Sequence, residues 1–211
     1  MKCYRKNLNF ILGSIFVLLF IIWAILVKKG ILTAFDSFVY EKVIAFKSEA
    51  LTGFMRFITN FAGVKTTIIL CVLSLVALLF KYKGTLFLVC NVIISTILNN
   101  VIKAILKVPR PHKLWLVEET GYSFPSGHSM AAISFYAFII YLVFNSKLNK
   151  ILKYVISIIL SLLIVLIGIS RVYLGVHNIS DVIGAFMLSF ALLMFTTGFI
   201  NKKWRDKIWR L

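Results

Sequence analysis

Charge is scarce in this chain, and acid is scarcer. Only 15% of its 211 residues are charged, and seven aspartates and glutamates face 24 lysines and arginines. A soluble domain carries about a quarter charged residues, so a water-soluble globule is excluded. Cysteine is equally sparse. Cys71 and Cys90 fall inside apolar stretches, where a thiol behaves as a small hydrophobe, and Cys3 lies in the amino-terminal tail. Three scattered thiols provide no disulfide framework and no metal-ligand spacing. Low-complexity tracts, internal repeats and any polar domain-sized stretch are missing too. Proline occurs only as Pro109, Pro111 and Pro125. Because proline ends helices and fixes φ, the loop 107–127 that holds all three is built to keep a shape.

What is present is apolar. Hydrophobic residues make up 61% of the chain and aromatics 15%, and the mean hydropathy is +0.96. Six stretches approach the twenty apolar residues that a bilayer crossing needs: residues 8–27, 64–80, 85–106, 129–144, 151–169 and 179–199. The first follows Lys2, Arg5 and Lys6 as a secretory signal would, but it is too long for one and no small-residue cleavage site follows. It reads as a retained helix. The expected fold is therefore all-α, a single polytopic domain over residues 1–211 with six transmembrane helices. Residues 32–60 form the least apolar long connection. There Phe35, Phe38, Val39, Val43, Ile44 and Phe46 recur at near-helical spacing among Asp36, Glu41, Lys42 and Lys47, predicting an amphipathic surface helix between helices one and two. That segment is equally placed to gate a lipid.

Orientation follows the short-loop lysines and arginines. If the chain starts in the cytoplasm and crosses six times, one side collects Lys2, Arg5, Lys6, Lys81, Lys83, Lys147, Lys150, Lys153, Lys202, Lys203, Arg205, Lys207 and Arg210, with Asp206 its one acid. Both termini are then cytoplasmic in a plasma membrane protein. The net charge of +17 is spread over tails and short loops. It is explained by insertion topology and anionic lipid, so no nucleic-acid partner is expected.

Three short segments break the apolar pattern on the other face. They are Lys103 with Arg110-Pro111, then Pro125-Ser126-Gly127-His128, then Ser170-Arg171 with His177 and Asp181. Asp181 follows His177 by four residues at the start of a helix, so the side chains share a face. A carboxylate on one imidazole nitrogen sets the tautomer and leaves the other nitrogen free to attack. Taken alone, the pair also fits two groups satisfying each other at the lipid interface. His128 alone fits either a proton donor to a leaving oxygen or a helix-capping histidine. Ser126 is a good N-cap, and a helix start offers unpaired N–H groups to an anion. Lys103 sits between Ile102 and Ala104 near a helix end, where an ionisable group is costly and therefore usually functional. Arginine's fork suits phosphate oxygens and lysine acts as a point charge. Snorkelling accounts for Lys107 and Lys113, but poorly for Arg110 between two prolines or for Arg171. His112 receives no role. A cluster of fixed cations beside a carboxylate-paired imidazole is what phosphoryl transfer through a histidine needs.

These three segments, complete at every position, resemble the signature of the type-2 phosphatidic acid phosphatase superfamily, which also includes vanadium haloperoxidases. The resemblance covers residues 103–181. Residues 124–130 and 168–177 look especially similar to bacterial phosphatidylglycerophosphatase B and undecaprenyl-diphosphate phosphatases. It implies that His177 attacks phosphorus, that Asp181 holds its tautomer, and that His128 protonates the leaving group and then activates water. Lys103, Arg110, Ser126, Gly127 and Arg171 would bind the phosphate, with no metal and no other cofactor. The partner implied is a lipid phosphate in the bilayer, bound at an extracytoplasmic site and most readily undecaprenyl diphosphate. Phosphatidylglycerophosphate and phosphatidic acid are the alternatives. A haloperoxidase would share the pocket, but those relatives are largely soluble. A non-catalytic lipid-phosphate binder or transporter would need the cations but not the two histidines and Asp181.

Overall fold

In a bilayer each backbone N–H and C=O must be paired within the protein, which for isolated crossings leaves only helices. The structure, a computed structural model, describes residues 2–76, 84–111 and 113–204, and its regular elements are all helices. They are α1 Lys2–Lys28, α2 Thr33–Ile44, α3 Glu49–Asn60, α4 Val64–Val76, α5 Gly84–Leu106, α6 Gly127–Ala132, α7 Phe138–Asn145, α8 Lys150–Tyr173 and α9 Ile179–Phe199. A π-helical stretch, Ile133–Ala137, joins α6 to α7, and a second, Ile200–Trp204, follows α9. His112, Lys81, Lys83, Arg205, Asp206, Lys207 and Arg210 lie outside the described residues, as do the side chains of Lys2, Cys3, Arg5, Lys6 and Lys203.

Among the described residues, five segments are long and apolar enough to cross a membrane: Asn7–Lys28, Gly84–Leu106, Gly127–Asn145, Lys150–Tyr173 and Ile179–Lys202. The sixth crossing, expected at 64–80, is built differently. The 13 residues of α4 reach about 20 Å at 1.5 Å per residue, short of the ~30 Å hydrocarbon core, and residues 77–80 lie outside the described residues. α3 and α4 qualify as one crossing only together, with a bend of 42° between them. The single surface helix expected within 32–60 is accordingly two helices. Ser48 separates them by capping α3, its Oγ accepting the Leu51 N–H at 3.2 Å. α3 is the amphipathic one: it turns Met55, Ile58 and Thr59 inward against α8 and leaves Phe54 and Phe57 exposed. In α2 the apolar Phe35 and Phe38 face away from the bundle and Asp36 is buried against it.

The main core joins α5 (Leu88, Val89, Val92), the stretch from Ala132 to Phe138, α8 (Ile164, Ile167) and Leu193 of α9. A π turn takes carbonyls out of the regular ladder. Here Asn91 Nδ2 of α5 donates to the Ser134 carbonyl at 3.0 Å, while its Oδ1 accepts from Thr196 Oγ1 at 2.9 Å. A second cluster lies beneath the motif loop and contains Phe20, Ala24, Phe124, Met130, Ala185 and Leu188. Phe124 stacks on Phe20 with centroids 5.7 Å apart. Gly184 of α9 makes room for it, since a Cβ there would come 2.5 Å from Phe124 Cε2. Gly175, at φ +76°, reverses the chain between α8 and α9 where the Leu114 carbonyl presses against it. The Leu116 N–H then donates to the Leu174 carbonyl at 3.0 Å. The proline-bearing loop is thereby laid over the α8–α9 turn.

Candidate active site

Four helix ends meet at one end of the bundle. α5 brings Lys103 in its last turn, α6 starts at Gly127, α8 carries Arg171 in its last turn, and α9 places Asp181 in its first turn. His177 lies in the turn before α9 and is 1% exposed. Its Nδ1 is 3.3 Å from Asp181 Oδ2 and 3.3 Å from Ser123 Oγ, and its Nε2 is 3.3 Å from Arg110 Nη1. Asp181 Oδ2 also accepts the Ser123 hydroxyl and the Asn178 N–H, the latter at 2.9 Å. Burial, then the charges of Arg171, Arg110 and Lys103, push the His177 pKa well below its ordinary 6.5. The imidazole is therefore neutral. The network assigns its proton to Nδ1, facing the carboxylate, and leaves the Nε2 lone pair among the cations.

Arg110 is held on every nitrogen. Nε donates to the Gly121 carbonyl at 3.1 Å, Nη2 to that of Thr120 at 2.8 Å, and Nη1 to that of Val176 at 2.9 Å. Arg171, 1% exposed, is anchored differently. Its Nη1 donates to Thr59 Oγ1 of α3 at 2.8 Å, its Nη2 donates to Glu119, and its Nε has no partner among the described residues. Both terminal nitrogens of the guanidinium are thus fastened, and Nε remains a buried donor. Lys103 makes no hydrogen bond to a described residue, yet its charge acts on Arg110, Glu119, Asp181 and Arg171.

Glu119 is the residue that the motifs do not announce. Its carboxylate pairs with Arg171, lies 3.5 Å from Arg110 Nη2 and lies 4.0 Å from His128 Nδ1. One carboxylate thus bridges two arginines, whose forks suit carboxylate and phosphate oxygens alike. Ser123 and Thr59 were also missed. In a chain with seven acids, an acid inside the basic motif loop was the signal for Glu119; a single loop serine and a helix threonine give none. Ser126 caps α6 as expected, accepting from Ser129 N at 3.4 Å and Ser129 Oγ at 3.0 Å. Its fully buried hydroxyl is thereby committed, while the Gly127 and His128 amides donate to no described residue. Arg110, His128 and Arg171 thus gather around Glu119, and His177 joins Arg110 to Asp181.

Residues 84–205 match the PAP2 superfamily. The chain belongs to that superfamily. As a PAP2 protein it is 33% identical to phosphatidylglycerophosphatase B of Bacillus subtilis (strain 168) over 193 residues, which is 88% of this chain and 93% of the relative. The crystal structure of a transmembrane PAP2-type phosphatidylglycerolphosphate phosphatase from Bacillus subtilis aligns with a TM-score of 0.83 at 30% identity, over 92% of this chain and 98% of that one. Aquifex aeolicus LpxE shares the fold, with a TM-score of 0.60 at 22% identity over 74% of this chain and 92% of its own. This PAP2 protein is a multi-pass membrane enzyme, a phosphatase.

Proposed function

We propose that the protein removes phosphate from a membrane lipid through a phosphohistidine. The supporting observation is the polarity of His177, with Nδ1 turned to Asp181 and Nε2 to Arg110. Nε2 attacks phosphorus in line, and the P–O bond to the lipid breaks as His128 gives its proton to the departing oxygen. His128 then takes a proton from water, whose oxygen displaces His177 and frees inorganic phosphate. The substrate phosphate displaces Glu119 and bonds to Arg110, Arg171, Lys103 and the Gly127 amide. These groups stabilise charge gathering on the equatorial oxygens. Fixed cations take the part that a metal plays in other phosphatases.

Two lipids divide the proposal. Phosphatidylglycerophosphate is supported by the relative that shares a third of its residues with this chain and is named for that activity. Undecaprenyl diphosphate is supported by sidedness. Lys147, Lys150 and Lys153 lie at the α7–α8 turn, the opposite end of those helices from the site, and a basic cytoplasmic turn there supports a site outside the cell with both termini inside.

The test is phosphate release in detergent with EDTA, comparing the two lipids at matched surface concentration with His177→Ala as blank. Release with EDTA present and none from the blank is expected, and the preferred lipid names the pathway served. A strict magnesium requirement, or a fully active His177→Ala, ends this mechanism. Wild type no better than the blank on either lipid favours a non-catalytic lipid-phosphate carrier.

A further inference from the structure

Asp36 is one of the few acids of the chain, and it is buried at 6% exposure on α2, a helix that carries none of the motifs. Its Oδ1 accepts the Ser180 N–H at 2.9 Å and its Oδ2 accepts the Ser180 hydroxyl at 2.8 Å. Trp23 Nε1 of α1 donates to the Ser180 carbonyl at 2.9 Å. The residue preceding Asp181 is therefore gripped at all three polar groups by two helices remote in sequence.

The need for this grip is visible at the start of α9. Asn178 is the N-cap residue, whose side-chain oxygen would ordinarily accept from an amide of the first turn. Here that oxygen accepts from Lys113 Nζ at 2.8 Å, and the capping box turns it to the amide of Asp181, not to that of Ser180. The Ser180 amide is then left to an acceptor from outside the helix, and a carboxylate suits the positive end of the helix dipole.

We propose that Asp36 is a positioning residue: by capping α9 from α2 it sets where Asp181, and through it His177, stand. The inference rests on His177 being the nucleophile. The His177–Asp181 contact at 3.3 Å is at the long end of hydrogen-bond reach, so a small shift of the α9 start breaks it. A displacement of about 1 Å at a reacting group costs on the order of a hundredfold in rate. The phosphate-binding cations stand on α5, the 107–127 loop and α8, so substrate binding does not depend on this grip. The effect falls on kcat and spares KM.

The experiment measures kcat and KM for phosphate release from phosphatidylglycerophosphate by the full-length protein in detergent. Asp36→Asn is expected to lower kcat about 10- to 100-fold with KM within about threefold. Ser180→Ala, which keeps the amide bond, lowers kcat less, the double variant is no worse than Asp36→Asn, and Asp36→Glu recovers part of the loss. Folded fraction by near-ultraviolet circular dichroism normalises each value, and Ser180→Ala decides by the same criteria if Asp36→Asn does not fold. Wild-type kcat in Asp36→Asn or, failing that, in Ser180→Ala overturns the inference. So does a loss confined to KM, or one equal to the loss of folded protein. His177→Ala, run in parallel, separates the two claims. If it stays active, the nucleophile assignment fails and the inference with it; if it is dead beside a wild-type-like Asp36→Asn, only the positioning role fails.

Discussion

Replacing Glu119 by glutamine removes one negative charge from between Arg110 and Arg171 while keeping the volume of the side chain. The carboxylate competes with any incoming phosphate for both arginines, so its loss should tighten anion binding. Two unit charges separated by the 3.5 Å between Glu119 Oε2 and Arg110 Nη2 attract by about 5 kcal/mol at an effective dielectric of about 20. Little of this survives as net competition. The Glu119 side chain is 25% exposed, so water screens the pair, and the displaced carboxylate regains hydration. Exposed pairs are worth roughly 0–1 kcal/mol and broken buried ones roughly 3–5. A partly exposed carboxylate should cost the ligand about 1–2 kcal/mol, which is about a 5- to 30-fold change in affinity. Orthovanadate inhibition of phosphate release reads this directly, with the inhibition constant falling by that factor in Glu119→Gln. An unchanged or larger constant would refute the reasoning, because it would mean that Glu119 orients the arginines and does not occupy their ligand position.

Three further outcomes follow from the same geometry. Asp181→Asn removes the oxygen that takes the His177 Nδ1 proton, so kcat should fall about a thousandfold or more, as when a triad tautomer is lost, with KM little changed; a fall of less than tenfold would contradict that role. Gly184→Ala drives a methyl into Phe124, and overpacking of this kind costs about 1–3 kcal/mol. The thermal midpoint and the turnover supported by the adjoining Pro125–His128 turn should drop together, and an unchanged midpoint would show that Phe124 has room to move. The third concerns acid. Folded His177 stays neutral well below pH 6.5, whereas the unfolded chain takes up a proton near the ordinary histidine value. The unfolded state thus binds more protons at low pH, so the stability in question is complete above about pH 6.5 and lost as pH falls. The thermal midpoint should decline more steeply from pH 7 to 5 in the wild type than in His177→Asn; parallel curves would remove His177 from the account.

Composition and run length were enough for a helical membrane protein, since a bilayer allows an isolated crossing no other way to pair its backbone. The motif residues were legible as well, because each group sits within a turn or two of its neighbours. Ser126 caps α6 three residues away, and His177 meets Asp181 four residues on. Hydrogen bonds at such spacing follow from local backbone geometry, which local sequence controls.

Contacts between helices were not legible. Arg171 meets Glu119 at a separation of 52 residues, Ser123 meets Asp181 at 58, Arg171 meets Thr59 at 112, and Ser180 meets Asp36 at 144. Which acid faces which arginine depends on how whole helix faces interlock, and that is decided by volume and shape complementarity summed over the bundle. The sequence alone therefore determined the membrane class and the chemical groups available for phosphate. Only the tertiary structure decided that a carboxylate of the protein bridges Arg110 and Arg171, and that the helix bearing Asp181 is capped from α2.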